Sequence, residues 1–238
     1  IGVKVQGGLG NQMFQVAFAL AAAKKLNTQF YLDEGIDCLK VSKYFMLHES
    51  RKARMRRWLF QLKGVGRLLR YPRKIWFNNI CLKKKLSIKK YDCEVRPETI
   101  LGQLKNNTLY DGYFQSEKFF KEQEQQIKLL FTLNEKYVKL FKTKTKHIDF
   151  RQHIVVIHVR RGDYLDMGWQ LDISYYHKAI ASIQHANSYF VFITNDKDFV
   201  ADAFAHISNK YISSDHEMVD FQLLLNANVN IIANSSFS

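Results

Sequence analysis

A chain of 238 residues that is 47% hydrophobic and 24% charged has the composition of a globular protein with room for one large domain or two small ones. Two prolines and no low-complexity tract exclude disorder as its main state. Three cysteines without a close-spaced pair (Cys38, Cys81, Cys93) exclude a disulfide scaffold and a cysteine-rich zinc site, so a reducing compartment is expected. A formal net charge of +14 points to phosphate groups, in nucleic acid, anionic lipid or a nucleotide, without choosing among them.

No run reaches the roughly 20 apolar residues of a membrane span. The apolar start has no basic leader and carries Gly-Gly-Leu-Gly, so it reads as strand and helix and not as a signal peptide. Residues 1–5, with the β-branched Ile1, Val3 and Val5, predict a strand, 6–12 a turn, 13–26 a buried helix and 28–32 a second strand. This is a βαβ opening of a parallel sheet. Between Glu49 and Asp92 there is no acidic residue, and lysines and arginines alternate with Trp58, Phe60 and Trp76. Residues 51–91 predict a basic insert of two amphipathic helices. Its charged face either meets water or touches anionic lipid or a charged acceptor.

Residues 109–116 predict a strand running into a turn, and 117–141 a single helix. The lysine-rich 142–146 is a charged connector, so the expected domains are 1–146 and 147–238. Strands at 154–159, 189–194, 211–213 and 229–232 then alternate with helices at 174–185, 197–205 and 219–226, which predicts a second parallel sheet. The pattern stops after a strand, where a helix should follow. A further C-terminal segment is therefore expected.

Three groups of residues fall at strand ends, where parallel sheets bind ligands. Gly7-Gly8-Leu9-Gly10-Asn11-Gln12 joins a strand to a helix and lets a ligand approach the backbone, although it is not a complete G-x-G-x-x-G. His158-Val159-Arg160-Arg161-Gly162-Asp163-Tyr164 puts two guanidiniums where a pyrophosphate could be forked, or else forms a salt-bridged loop. Asn195, Asp196, Asp220, Ser235 and Ser236 add carboxylate, amide and hydroxyl groups. Each is weak alone, because turns favour these residue types. Together they describe a nucleotide-diphosphate site. The one Asp-x-Asp spacing, Asp196-Lys197-Asp198, is not read as a metal pair.

These residues carry a resemblance. Residues 7–15, Gly112-Tyr113-Phe114-Gln115-Ser116-Glu117, residues 158–164 and Asn234-Ser235-Ser236-Phe237-Ser238 look like the motifs of the bacterial alpha-1,2-fucosyltransferases. The match runs the length of the chain, and His-x-Arg-Arg-x-Asp is its most specific element. The resemblance implies a GT-B-like α/β fold of two Rossmann-like domains, in which an N-terminal domain meets the acceptor and a C-terminal one holds GDP-fucose. Arg160 would contact the diphosphate, His158 and Asp220 the guanine, and Asn195 or Asp196 the ribose. Ser235, Ser236 and Phe237 would line the phosphate and fucose side. Asn11 would face the reacting centre, with Gly8, Gly10, Arg161 and Asp163 in support and Asp163 orienting the arginines. The implied reaction is inverting transfer of L-fucose to the 2-hydroxyl of a galactose-terminated glycan, with no metal and no other cofactor. Asp33, Glu34, Asp111 and Glu117 are general-base candidates by position alone. The expected place of work is the cytoplasm, at the inner face of the membrane.

Two rivals remain at this point. A nicotinamide oxidoreductase would use the glycine turn and Asp33 or Glu34, but leaves the arginine pair and the second sheet without a role. A nucleic-acid module would use the basic segment, but no recognised motif accompanies it, so no nucleic-acid partner is expected.

Overall fold

A computed structural model describes residues 1–34, 40–46, 87–92, 94–183, 185, 187–213 and 215–238. Most of the basic segment, 51–86, and all three cysteines lie outside the described residues, so the expectation of a helical insert cannot be followed there. Where the segment re-enters, at Ser87–Lys90, it is a strand and not a helix. It pairs in parallel with Thr108–Asp111 at the edge of a sheet, with Lys90 exposed. Lysines on an edge strand discourage pairing with other chains. Among the described residues no helix is long and apolar enough to cross a membrane.

The chain divides into two compact units, Ile1–Asn134 and Glu135–Ser238. Among the described residues of the first, β1 (Gly2–Val5), α1 (Leu9–Lys25), β2 (Tyr31–Glu34), α2 (Lys40–Tyr44), β3 (Ser87–Lys90), α3 (Pro97–Gly102) and β4 (Thr108–Asp111) occur in this order. The strands form one parallel sheet in the order β2-β1-β4-β3. The alanines of α1 let it lie close on the sheet: Ala19 and Ala22 are fully buried beside Val3 and Phe18. Phe18 stacks face to face on Phe114 at 3.8 Å and meets Tyr110 and Phe119 by their edges. The helix starts four residues before the expected position, because Gly8 is extended and its carbonyl already accepts from the Gln12 N–H. Gly10 and Asn11 are poor helix formers, which hid this first turn.

The single helix expected over 117–141 is broken. Two 3₁₀ turns, Glu117–Phe119 and Lys121–Gln123, lead into α4 (Glu124–Leu130), and α5 (Glu135–Lys144) begins only after a gap. The cause lies far away in sequence. Residues 132–134 are taken by the segment around α2: Thr132 O accepts from Met46 N, Asn134 N donates to Tyr44 O, and Asn134 Nδ2 donates to Lys43 O. Backbone groups used there cannot serve a helix.

In the second unit β5 (His153–Val159), α6 (Asp163–Met167), α7 (Ile173–Ala181), β6 (Ser188–Thr194), α8 (Lys197–Ala203), β7 (Lys210–Ser213), α9 (Glu217–Leu225) and β8 (Val229–Ile231) alternate. Their parallel sheet has the order β7-β6-β5-β8. β5 is central and buried on both faces, which is why it reads as an unbroken apolar run. Val155, Ile157 and Val159 pack with Tyr176, Val200 and Phe204, while Ile154 and Val156 pack with Val219 and Leu223 of α9. The strand order reverses between β5 and β8, and in the first unit between β1 and β4. Such reversals open crevices outside the carboxyl ends of the strands.

Candidate functional site

The arginine loop leaves β5 at the reversal point of the second unit. Gly162 has φ +39° and ψ −119°, a conformation that side chains other than hydrogen resist. A Cβ there would stand 2.1 Å from the amide nitrogen of Asn195, whose Oδ1 accepts from Arg161 N at 3.0 Å. The two arginines separate into different roles. Arg161 is committed to the fold: its Nε donates to Asp196 Oδ2 at 2.9 Å, and its guanidinium lies 3.5 Å over the Phe199 ring. Asp196 also caps α8 through Phe199 N, so both its oxygens are engaged. Arg160 is less fully matched. Its Nη2 meets Asp163 Oδ1 at 2.7 Å and its guanidinium sits 5.4 Å over Tyr164, but its buried Nε has no hydrogen-bond partner among the described residues. Asp163 therefore holds Arg160, while Asp196 holds Arg161.

His158 precedes the loop, on the sheet face that α9 covers. Its Nδ1 lies 2.8 Å from Ser238 Oγ, and its ring meets the edge of Phe237. Burial, with Arg160 beside it, pushes the imidazole down to about 4, so it is neutral at physiological pH. Phe237 reaches in turn to Phe221, the neighbour of Asp220 on α9. Asp220 is buried and accepts from Ser213 Oγ, at the end of β7. Burial pushes its carboxyl up to about 6; the Ser213 hydroxyl opposes this and Asp215 adds to it. Ser235 Oγ accepts from Phe237 N, and Asn234 Nδ2 donates to Trp169 O, which ties the last turn to the arginine loop. The sheet thus gathers His158, Arg160, Asn195, Asp196, Asp220 and residues 234–238 along its carboxyl edge. Ser213, Ser238, Tyr164 and Phe199 join them; Tyr164 and Ser238 fall inside the quoted motifs without a role of their own, and nothing local in the sequence marked Ser213 or Phe199.

Asn11, Gly8 and Gly10 lie in the first unit, where β1 gives way to α1. Gly7 has φ +80°, and a Cβ on it would stand 2.6 Å from Asn11 Nδ2. Gln115, from the loop after β4, donates through Nε2 to Asn11 Oδ1 at 2.6 Å. Of the general-base candidates, Asp111 is engaged by Lys4 Nζ at 3.0 Å and by Gln6 Nε2 at 3.4 Å, whereas Glu117 is exposed on a 3₁₀ turn.

Two Rossmann-like units of this build are shared with solved sugar transferases of the GT-B type. The fucosyltransferase NodZ from Bradyrhizobium superposes with a TM-score of 0.59 over 99% of this chain and 90% of that one, at 12% identity. A NodZ alpha-1,6-fucosyltransferase structure soaked with GDP-fucose gives 0.58 over 99% and 89%, at 14%. Likeness at such identity concerns the fold. The chain belongs to glycosyl transferase family 11, whose model matches residues 70–238. It is 26% identical over 261 residues to an alpha-1,2-colitosyltransferase of Escherichia coli, covering 99% of this chain and 84% of that protein. It is 27% identical over 270 residues to the O-antigen biosynthesis glycosyltransferase WbnK of Escherichia coli, covering 98% and 86%.

Proposed function

We propose that this glycosyltransferase moves L-fucose from GDP-fucose, with inversion and without a metal ion, to the 2-hydroxyl of a galactoside in a surface glycan. The observation that carries the reading is Arg160: a guanidinium at the strand-order reversal, held by one carboxylate and with a buried donor unmatched among the described residues. The unit Glu135–Ser238 would bind the donor and the unit Ile1–Asn134 the acceptor. Arg160, Ser235 and Ser236 would face the diphosphate, neutral His158 and Asp220 the guanine, Asn195 or Asp196 the ribose, and Phe237 the fucose. Asn11 would face the reacting centre. As the glycosidic bond breaks, the sugar gains oxocarbenium character and GDP gains negative charge. Arg160 then stabilises the transition state more than the ground state. The acid-free basic segment 51–91 supports loose docking at the inner face of an anionic membrane.

The test is a GDP-release assay with GDP-fucose and a panel of β-galactosides. Turnover should survive excess EDTA, because Arg160 supplies the positive charge opposite the diphosphate. Loss on chelation with recovery in magnesium or manganese would overturn the metal-free mechanism. The relative named as a colitosyltransferase favours a second reading of the donor. A colitosyl group is a fucosyl group without its 3-hydroxyl, so GDP-fucose and GDP-colitose belong side by side in the assay.

GDP binding should also follow the ionisation of Asp220. An ionised carboxylate accepts the two N–H groups of the guanine edge, and a protonated one does not accept both. Because burial raises this group to about 6, binding is strongest above that pH. The GDP dissociation constant should rise about tenfold per pH unit below it. His158, held near 4, stays neutral across most of the range. Calorimetry from pH 5 to 8 checks this, and Asp220→Asn should flatten the profile. A flat profile in the wild-type protein would remove Asp220 from the base site.

A further inference from the structure

The loop after β4 is held in a costly shape. Phe114 has φ +51°, in the left-handed region that a bulky side chain rarely adopts. Its ring is clamped between Phe18 and the edge of Phe119. Just before it, Gly112 O accepts from Nε2 of the fully buried Gln15, whose Oε1 accepts from Gln6 N. Gln15 thus ties the turn after β1 to the turn after β4. Ser116 N closes the kink onto Phe114 O at 2.8 Å. The kink turns Gln115 outward, where its Nε2 donates to Asn11 Oδ1 at 2.6 Å. On the other side of the same amide, Gly7 leaves the space that Asn11 Nδ2 occupies.

We propose that Gln115 is a positioning residue for Asn11. By donating to Oδ1 it fixes which way the Asn11 amide faces, so that the Nδ2 hydrogens are presented as donors to the reacting centre. An asparagine amide turned the other way would present an acceptor instead and would reverse the polarity of that contact. The proposal rests on the place given to Asn11 in the reading above, and adds the residue that sets its orientation.

A double-mutant cycle tests it. With GDP-fucose and a β-galactoside, Gln115→Ala should lower kcat about 10- to 100-fold, the range lost when one preorganised donor is misplaced. The donor KM should stay within about twofold, because the bond lies wholly in the first unit. Asn11→Ala should lose at least as much, and the double variant should be no worse than Asn11→Ala alone. Gln115→Glu, which only accepts, should be impaired like the alanine variant. Independently of turnover, the Gln115 side-chain amide signal, assigned by its loss in Gln115→Ala, should shift in Asn11→Ala. Additive losses in the double variant, wild-type kcat in Gln115→Glu, or an unmoved amide signal would overturn the positioning role. Wild-type kcat in Asn11→Ala would overturn the role of Asn11 itself, and with it this proposal. Impairment of Asn11→Ala beside fully active Gln115 variants would overturn the positioning role alone.

Discussion

Arg160→Ala is expected to lower sugar transfer by about a thousandfold or more, the scale on which removal of a preorganised charge-stabilising donor acts. Arg160→Lys should recover little of it. The wild-type side chain does two things at once: Nη2 stays on Asp163, and the rest of the planar group faces outward beside Tyr164. A lysine presents a single ammonium, which can pair with Asp163 or reach a phosphate oxygen but cannot fork across both. Nor can it fill the buried place of Nε, which is where the present side chain lacks a partner among the described residues. Rates are to be measured by GDP release and the GDP dissociation constant by calorimetry. If the leaving charge is stabilised as argued, kcat falls further than GDP affinity. Wild-type rates in Arg160→Lys would show that charge alone suffices and would dismiss the forked contact. By contrast, the Arg161 guanidinium is enclosed by Asp196 and Phe199, and its loss is a matter of folding first.

That difference between two adjacent arginines shows where the sequence stops being legible. The two parallel sheets could be read, because β5 and β6 are buried apolar runs and helices separate the strands. Strand ends carrying guanidinium, carboxylate and hydroxyl groups could also be read, since a parallel sheet brings its carboxyl ends together whatever the loops do. Which arginine keeps a donor for a ligand and which is enclosed could not be read from the residues themselves, and only the resemblance gave Arg160 the diphosphate and Arg161 a supporting part. The distinction depends on Phe199 and Asp196, which sit more than thirty residues beyond the loop and arrive through the pairing of β5 with β6. The break at residues 131–134 had in part the same kind of cause, since backbone groups of 43–46 pair with residues 132–134. The edge strand Ser87–Lys90 was hidden because its lysines suit a solvated helix face as well as an exposed sheet edge. The Gln115–Asn11 bond joins two recognised motifs through a contact that neither motif shows alone.

Gly162→Ala should be the most damaging change that removes no functional group. Alanine must either adopt φ +39° and ψ −119°, which L side chains avoid, or move the loop. It must also displace the Asn195 amide, since the new methyl would overlap Nδ2 at 2.1 Å. Asn195 cannot give way cheaply, because its Oδ1 holds Arg161 N. Strain and the lost hydrogen bond together should cost about 2–3 kcal/mol of stability. For a chain of this size that is a fall in melting temperature of roughly 4–12 °C. The larger effect is on chemistry. Arg160 and Asp163 flank this glycine, so a shift of about 1 Å in the loop separates the guanidinium from the phosphates and should lower kcat about a hundredfold. Measured well below the melting transition, where the variant is fully folded, the rate loss separates positioning from stability. A second change, Asn195→Ala, relieves the clash but leaves the backbone strain, so it should restore less than half of the lost stability. Wild-type melting and turnover in Gly162→Ala would mean that the loop is free to relax, and the fixed geometry assigned to Arg160 would fall with it.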